Sequence, residues 1–298
     1  MANEIITNKE KQFKFYSYRY FLIPTDLQIS FENKKSLDKE RKDLFRDIIL
    51  NKLSNTLKID KSFIKMHLYK ELNNNLFVCK LAKVQEIIKF EDNNNDFKKR
   101  IERSYPFVYI IIDLENQIIL IQEDSSVFKQ KEDSRKKLYG YLKNANDSMY
   151  TLSIDEITTT SDFWEIVENE KVYKLNLNIK SPNFFGGNTE AEELAKDIHE
   201  TTNATETNIQ IINNDGDLKL EKKSLTSFIK YIASGGGRWT LHTKNGRVKS
   251  GSKVVKNVHI NNIEDLSNED LEGSIKQAIS NVDMRPGDDN IEDKKDSK

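Results

Sequence analysis

Apolar residues recur along most of the chain with the period of a strand or a helix, and the pattern stops near residue 260. Phe13, Phe15, Tyr16, Tyr18 and Tyr20 place aromatics on both faces of a strand, and Pro24-Thr25-Asp26 turns into a second strand over 27–31. A helix follows over about 36–54, with Leu37, Leu44, Phe45, Ile48, Ile49 and Leu53 as its apolar stripe. Residues 76–90 alternate as one long strand. The apolar runs 107–113 and 118–122 form a hairpin around Leu114-Glu115-Asn116. A polar helix over about 126–143, a strand over 149–155 and a short helix holding Phe163 and Trp164 complete this half.

A second set of elements begins near Lys171. Strand 172–179 alternates cleanly and ends at Ser181-Pro182-Asn183. Thr189 and Glu192 are spaced as a capping box, in which the hydroxyl takes a free helix N–H and the carboxylate reaches back. Strand 208–212, the turn Asn214-Asp215-Gly216 and strand 217–220 follow. A helix capped by Ser224 then carries Leu225, Phe228, Ile229 and Ile232 inward and stops at Gly235-Gly236-Gly237. Strand 238–242, the turn Asn245-Gly246 and a strand across 253–260 close the unit. Turn glycines Gly216 and Gly246 lie 30 residues apart, which suggests a duplicated αββ unit.

The pattern therefore predicts an α/β or α+β protein with mainly antiparallel sheets, packed helices and two modules. A flexible N-terminus covers 1–11, an N-terminal α+β module 12–165, and a C-terminal module 171–260. An acidic tail over 261–298, with one short helix at 267–279, is expected to be mostly disordered.

Charge changes the picture more than composition does. The chain of 298 residues has a net charge of −1, yet residues 222–263 hold nine Lys or Arg and no acid. Residues 264–298 hold five basic and eleven acidic side chains. A row of phosphates calls for many cations with few anions nearby, and unpaired bases gain from aromatic planes. The expected contact residues are Lys222, Lys223, Lys230, Arg238, Trp239, His242, Lys244, Arg247, Lys249, Lys253 and Lys256, with Trp239 as a stacking platform. The acidic tail is expected to restrain this basic segment.

Other chemistry is sparse. His242-Thr243-Lys244 followed by Gly251-Ser252 touches the HxK…GS pattern of phospholipase D-like phosphodiesterases, but Lys249 stands where that pattern needs an acid, and there is no second HxK. Asp113, Glu115, Glu123 and Asp124 bracket the hairpin and are candidates for Mg²⁺. They lack the acidic-x-Lys spacing of restriction-type nucleases. Phe184-Phe185-Gly186-Gly187 precedes a helix whose first turn already holds Glu190, Glu192 and Glu193, so it reads as a structural turn. The single Cys79, within an apolar run, excludes a disulfide framework and is expected to be an inert buried thiol. The four histidines show no ligand spacing, so no metal and no cofactor is expected. No apolar stretch is long enough to cross a bilayer, and the expected location is cytoplasmic.

The leading expectation is a non-enzymatic nucleic-acid-binding protein, DNA or RNA, acting as an accessory factor in bacterial defence, repair or mobile-element biology. The alternatives are a protein-interaction subunit of a larger complex and a metal-dependent nuclease. The residue pattern assigns no catalytic residue.

Overall fold

A computed structural model describes residues 11–24, 34–92, 96–146, 150–180, 190–252 and 255–283, with the backbone alone at Pro24 and over 34–39. The chain is α+β, and every described strand pairing is antiparallel. Two sheets organise it.

The first sheet has nine strands. Its members are β1 (Gln12–Pro24), β2 (Thr56–Ile59), β3 (Ser62–Asn73), β4 (Leu76–Asp92), β5 (Phe97–Ser104), β6 (Phe107–Asp113), β7 (Ile118–Gln122), β8 (Tyr150–Glu156) and β13 (Asn257–Asn261). The order is β13-β1-β7-β6-β4-β3-β2, with β5 beside the far half of β4 and β8 beside the far half of β1. Strands β6 and β7 are almost wholly buried, as their unbroken apolar runs require of strands covered on both faces. One face packs under α1 (Lys34–Asp47), its π-helical continuation Ile48–Lys52, and α2 (Lys131–Ala145), around Tyr18, Tyr20, Phe45, Phe77 and Tyr141. The other packs under α6 (Asn268–Ser280), around Phe13, Phe15, Val78, Tyr109 and Ile275.

The second sheet has four strands in the order β10-β9-β11-β12: β9 (Val172–Lys180), β10 (Glu206–Ile212), β11 (Gly237–Thr243) and β12 (Gly246–Lys249). Helices α3 (Ser161–Asn169), α4 (Glu190–Thr202) and α5 (Lys222–Tyr231) share one core with it, built on Phe163, Leu177, Ala195, Ile229, Trp239 and Leu241.

Several expectations change. Residues 217–220 form no strand, and β10 pairs with β9, so the first copy of the supposed αββ repeat does not exist. The strand expected across 253–260 is β13, which belongs to the first sheet and pairs with β1, Gln12 opposite Asn261. The tail is ordered as far as Asp283: Ser267 caps α6, and Leu271, Ile275 and Ile279 are buried in the first sheet's core. The short helix expected at 267–279 is present as α6, and its i, i+4, i+8 positions are all core residues. The expected strand at 27–31, the capping box at Thr189, the Phe184–Gly187 turn and the remainder of the tail lie outside the described residues.

The lobes meet at Arg19, whose side chain is 2% exposed. Its Nε donates to the Ser234 carbonyl (2.8 Å), one terminal nitrogen to the Asn116 carbonyl (2.8 Å), and the other to Asp283 Oδ1 (2.7 Å). Gly235, at φ +96°, sits so close to Arg19 that any Cβ would fall 2.4 Å from the arginine's own. That close approach, and not helix termination alone, is what the Gly235 position requires. No helix among the described residues is long and apolar enough to cross a membrane.

Candidate functional site

Strand β9 alternates Leu175, Leu177 and Ile179, all buried, with Lys174, Asn176, Asn178 and Lys180. A register shift between His242 and Thr243 lets Val172 also face the core. The same alternation runs through the neighbours. In β11, Trp239 and Leu241 are buried while Arg238, Thr240 and His242 face the other way. In β12, Arg247 and Lys249 flank Val248, which is partly buried and packs against the core cluster. In β10, Asn208 and Gln210 flank Ile209, which packs there likewise.

Because opposed residues share a face, the register assembles these polar positions into rows. One row runs Arg247, His242, Lys174. The next runs Lys249, Thr240, Asn176, Gln210, and the third Arg238, Asn178, Asn208. Lys180 and Glu206 close the face, bridged at 2.8 Å, and Lys180 holds the Glu206 carboxyl below its usual range. Among the described residues, α3, α4 and α5 pack on the opposite side of the sheet, and α2 approaches this face only across a cleft at its Arg238–Lys180 end. The uncovered face thus carries Lys174, Lys180, Arg238, Arg247 and Lys249 against one carboxylate, with amide and hydroxyl groups between them. Among the described residues, Lys174, Lys244, Arg247 and Lys249 form no ion pair.

The expected contact residues divide. Arg238, His242, Arg247 and Lys249 share the open face, and Lys244 lies exposed at the turn beside it. Lys222, Lys223 and Lys230 belong to α5 in the helical layer, where Lys222 pairs with Glu168 (2.9 Å). Lys256 lies in the segment hydrogen-bonded to Ser17 and Ile157 of the first lobe. Lys253 is outside the described residues. Trp239 is a correction: it is 2% exposed and meets Phe163 edge-on at 5.3 Å between centroids. A strand turns adjacent side chains to opposite faces, so Arg238 outside sends Trp239 inside. Lys174, Asn176, Asn178, Lys180, Asn208 and Gln210 were missed as site residues. Their signal was the alternation in β9 and β10, which reads as strand but does not say which sheet shares its face.

Arg238 is held at the edge of a cleft. Its Nε and one terminal nitrogen both donate to Asp155 Oδ1, at 2.8 and 2.7 Å, while the Asp155 side chain is 1% exposed. The cleft, about 520 Å³, lies between α2, β8 and the open sheet face.

The hairpin acids do not gather. Asp113 accepts from the Glu115 and Asn116 backbone N–H groups and from Asn116 Nδ2, and burial raises its carboxyl above the usual range. Glu123 stands at the other end of β7, about 17 Å away at ~3.4 Å per residue. There Lys14 and Tyr16 hold its carboxyl below the usual range. Glu115 pairs with Lys42, and Asp124 accepts from Ser126. Among the described residues no group of three or more His, Cys, Asp or Glu is placed to hold a metal. Cys79 is buried, which pushes its thiol well above the usual range. The acids of 264–283 serve the first lobe: Glu264 accepts from Tyr109, Glu272 pairs with Lys276, and Asp283 with Arg19. None of these restrains the basic face.

No known protein-family model matches the chain, and no curated protein matches it in sequence.

Proposed function

We propose that the protein binds nucleic acid through the open face of the second sheet. The observation that carries this reading is the convergence of Lys174, Arg238, Arg247 and Lys249 from three strands onto one uncovered surface. A polyanion meets such a surface with several phosphates at once and releases its counterions. The Asn, Gln and Thr side chains between the cations offer donors and acceptors to sugars and base edges. Among the described residues the face carries no exposed aromatic, so attraction to the backbone dominates.

Replacing Lys174, Arg247 and Lys249 together by Glu reverses three charges on solvated positions. Binding of labelled single- and double-stranded DNA and RNA is expected to be lost at moderate salt. For the wild type, log affinity falls linearly with log salt, by roughly 0.7–0.9 per phosphate contact. Affinity that ignores salt, or that survives the triple change, defeats the proposal.

A second reading, association with a protein, is favoured by a separate feature. Beyond Val84, strand β4 continues with β5 as a two-stranded ribbon from Gln85 opposite Ser104 to Asp92 opposite Phe97. One of its faces is an ion-pair ladder of Lys89, Glu91, Arg100 and Glu102. The other shows Ile88, Phe90, Phe97 and Ile101, which are 52–70% exposed. Residues 85–104 carry five basic and five acidic side chains. A neutral ribbon with an apolar face suits a protein surface, not phosphate.

A further inference from the structure

The cleft beside the open face holds a buried carboxylate oxygen with no partner. Arg238 spends two donors on Asp155 Oδ1, where a guanidinium and a carboxylate more often meet fork to fork through both oxygens. Asp155 Oδ2 is left buried and accepts no hydrogen bond, and so is the hydroxyl of Ser153, two residues back on β8. Both residues line the cleft. An anionic oxygen withdrawn from water and unpartnered is costly, and a bound donor relieves that cost. The rest of the lining suits the other end of such a ligand. Lys136, Lys180 and Arg238 bring cationic groups beside one further lining carboxylate, Glu206, which Lys180 holds, and Tyr139 supplies an aromatic wall. At about 520 Å³, the cleft is within the size range of small-ligand pockets.

We infer that this cleft binds one nucleotide, with the phosphate toward Lys136, Lys180 and Arg238 and an amino-bearing base edge toward Asp155 Oδ2. The inference rests on the nucleic-acid reading of the adjoining sheet and narrows it: the polymer on the open face is single-stranded where it reaches β8, with one base turned into the cleft. Asp155 accepts only, so it favours cytosine, adenine or guanine, each of which offers an exocyclic amino group. Uracil presents a single N–H between two carbonyl oxygens, and those oxygens repel the carboxylate. Arg238 connects the two parts of the site, since it stands on the sheet face and is fixed by the cleft's acid.

The test titrates the full chain with each of the four ribonucleoside 5′-monophosphates and with inorganic phosphate, followed by calorimetry. The cytidine, adenosine and guanosine nucleotides are expected to bind about tenfold more tightly than the uridine nucleotide or phosphate. Asp155→Asn places an amide where Oδ2 stood, so it should erase that order or turn it toward uridine. Ser153→Ala should weaken all four nucleotides while thermal melting stays unchanged. Equal affinity for all four nucleotides and phosphate overturns the inference, as does a folded Asp155→Asn protein with the wild-type order. Should Asp155→Asn fail to fold, the wild-type order alone decides. The open-face triple variant separates the two ideas. If mononucleotides bind but no polymer does, the cleft stands and the sheet reading falls. If polymers bind but no mononucleotide does, the reverse holds.

Discussion

The two sheets solve the same packing problem to different extents. In the first, helices lie on both faces, and strands such as Phe107–Asp113 and Ile118–Gln122 are apolar at nearly every position. In the second, helices cover one face, and each strand alternates a core residue with a polar one. A doubly covered sheet keeps only its margins, here β8 and the β4–β5 ribbon, to offer a partner. A singly covered one keeps a whole face for function while its fold is secured from behind, and substitutions on that face should change binding without changing stability.

The largest effect is expected at Arg19, which joins the two sheets. Arg19→Met removes the buried ion pair with Asp283, and losses of that kind run to about 3–5 kcal/mol. Chemical denaturation should also show the two lobes losing their joint unfolding, and an unchanged single transition would refute Arg19 as the link. Next comes Trp239→Ala, on the covered side of the second sheet. Truncating a buried Trp costs about 3–5 kcal/mol, and a melting temperature within a degree of wild type would return Trp239 to the surface. On the other side of the same strand, Thr240→Val should alter stability by less than about 0.5 kcal/mol. The contrast between these neighbours is the sharpest measure of single coverage. The smallest change in stability is expected on the β4–β5 ribbon. Phe90→Ser with Ile101→Ser should leave the melting temperature unchanged and weaken any self-association seen in sedimentation. Destabilisation there would mean that the ribbon's apolar face packs against the body.

Elements bounded by strong local signals were readable from the chain. The hairpin of Phe107–Asp113 and Ile118–Gln122 falls where its apolar runs and turn placed it, and the short helix with Phe163 likewise. Partnership was not readable. The alternation of Asn257–Asn261 fits an edge position in any antiparallel sheet, and nothing local says that its neighbour is residue 12 and not residue 243. The charge run 222–256 was visible as a run, but its first three lysines sit on a helix while Arg238, Arg247 and Lys249 sit on strands, so folding sends them to different layers. The β9 residues that complete the face carry no unusual density of charge. They become site residues only once β11 is paired beside them.

The pairing of β1 with β13 also has a consequence in time. These strands are separated by more than two hundred residues, and the second sheet is made between them. At a synthesis rate of ~5–20 residues per second, the ribosome takes roughly 12–50 s to go from Gln12 to Asn261. Until α6 emerges after that interval, Phe13, Phe15, Val78 and Tyr109 have no helix to cover them, although the strands that carry them are complete by residue 122. The nascent chain therefore shows an apolar sheet face that the finished protein hides, and the final stretch of synthesis closes it. A chain stopped before Asn257 should keep that face open and need a chaperone to stay in solution.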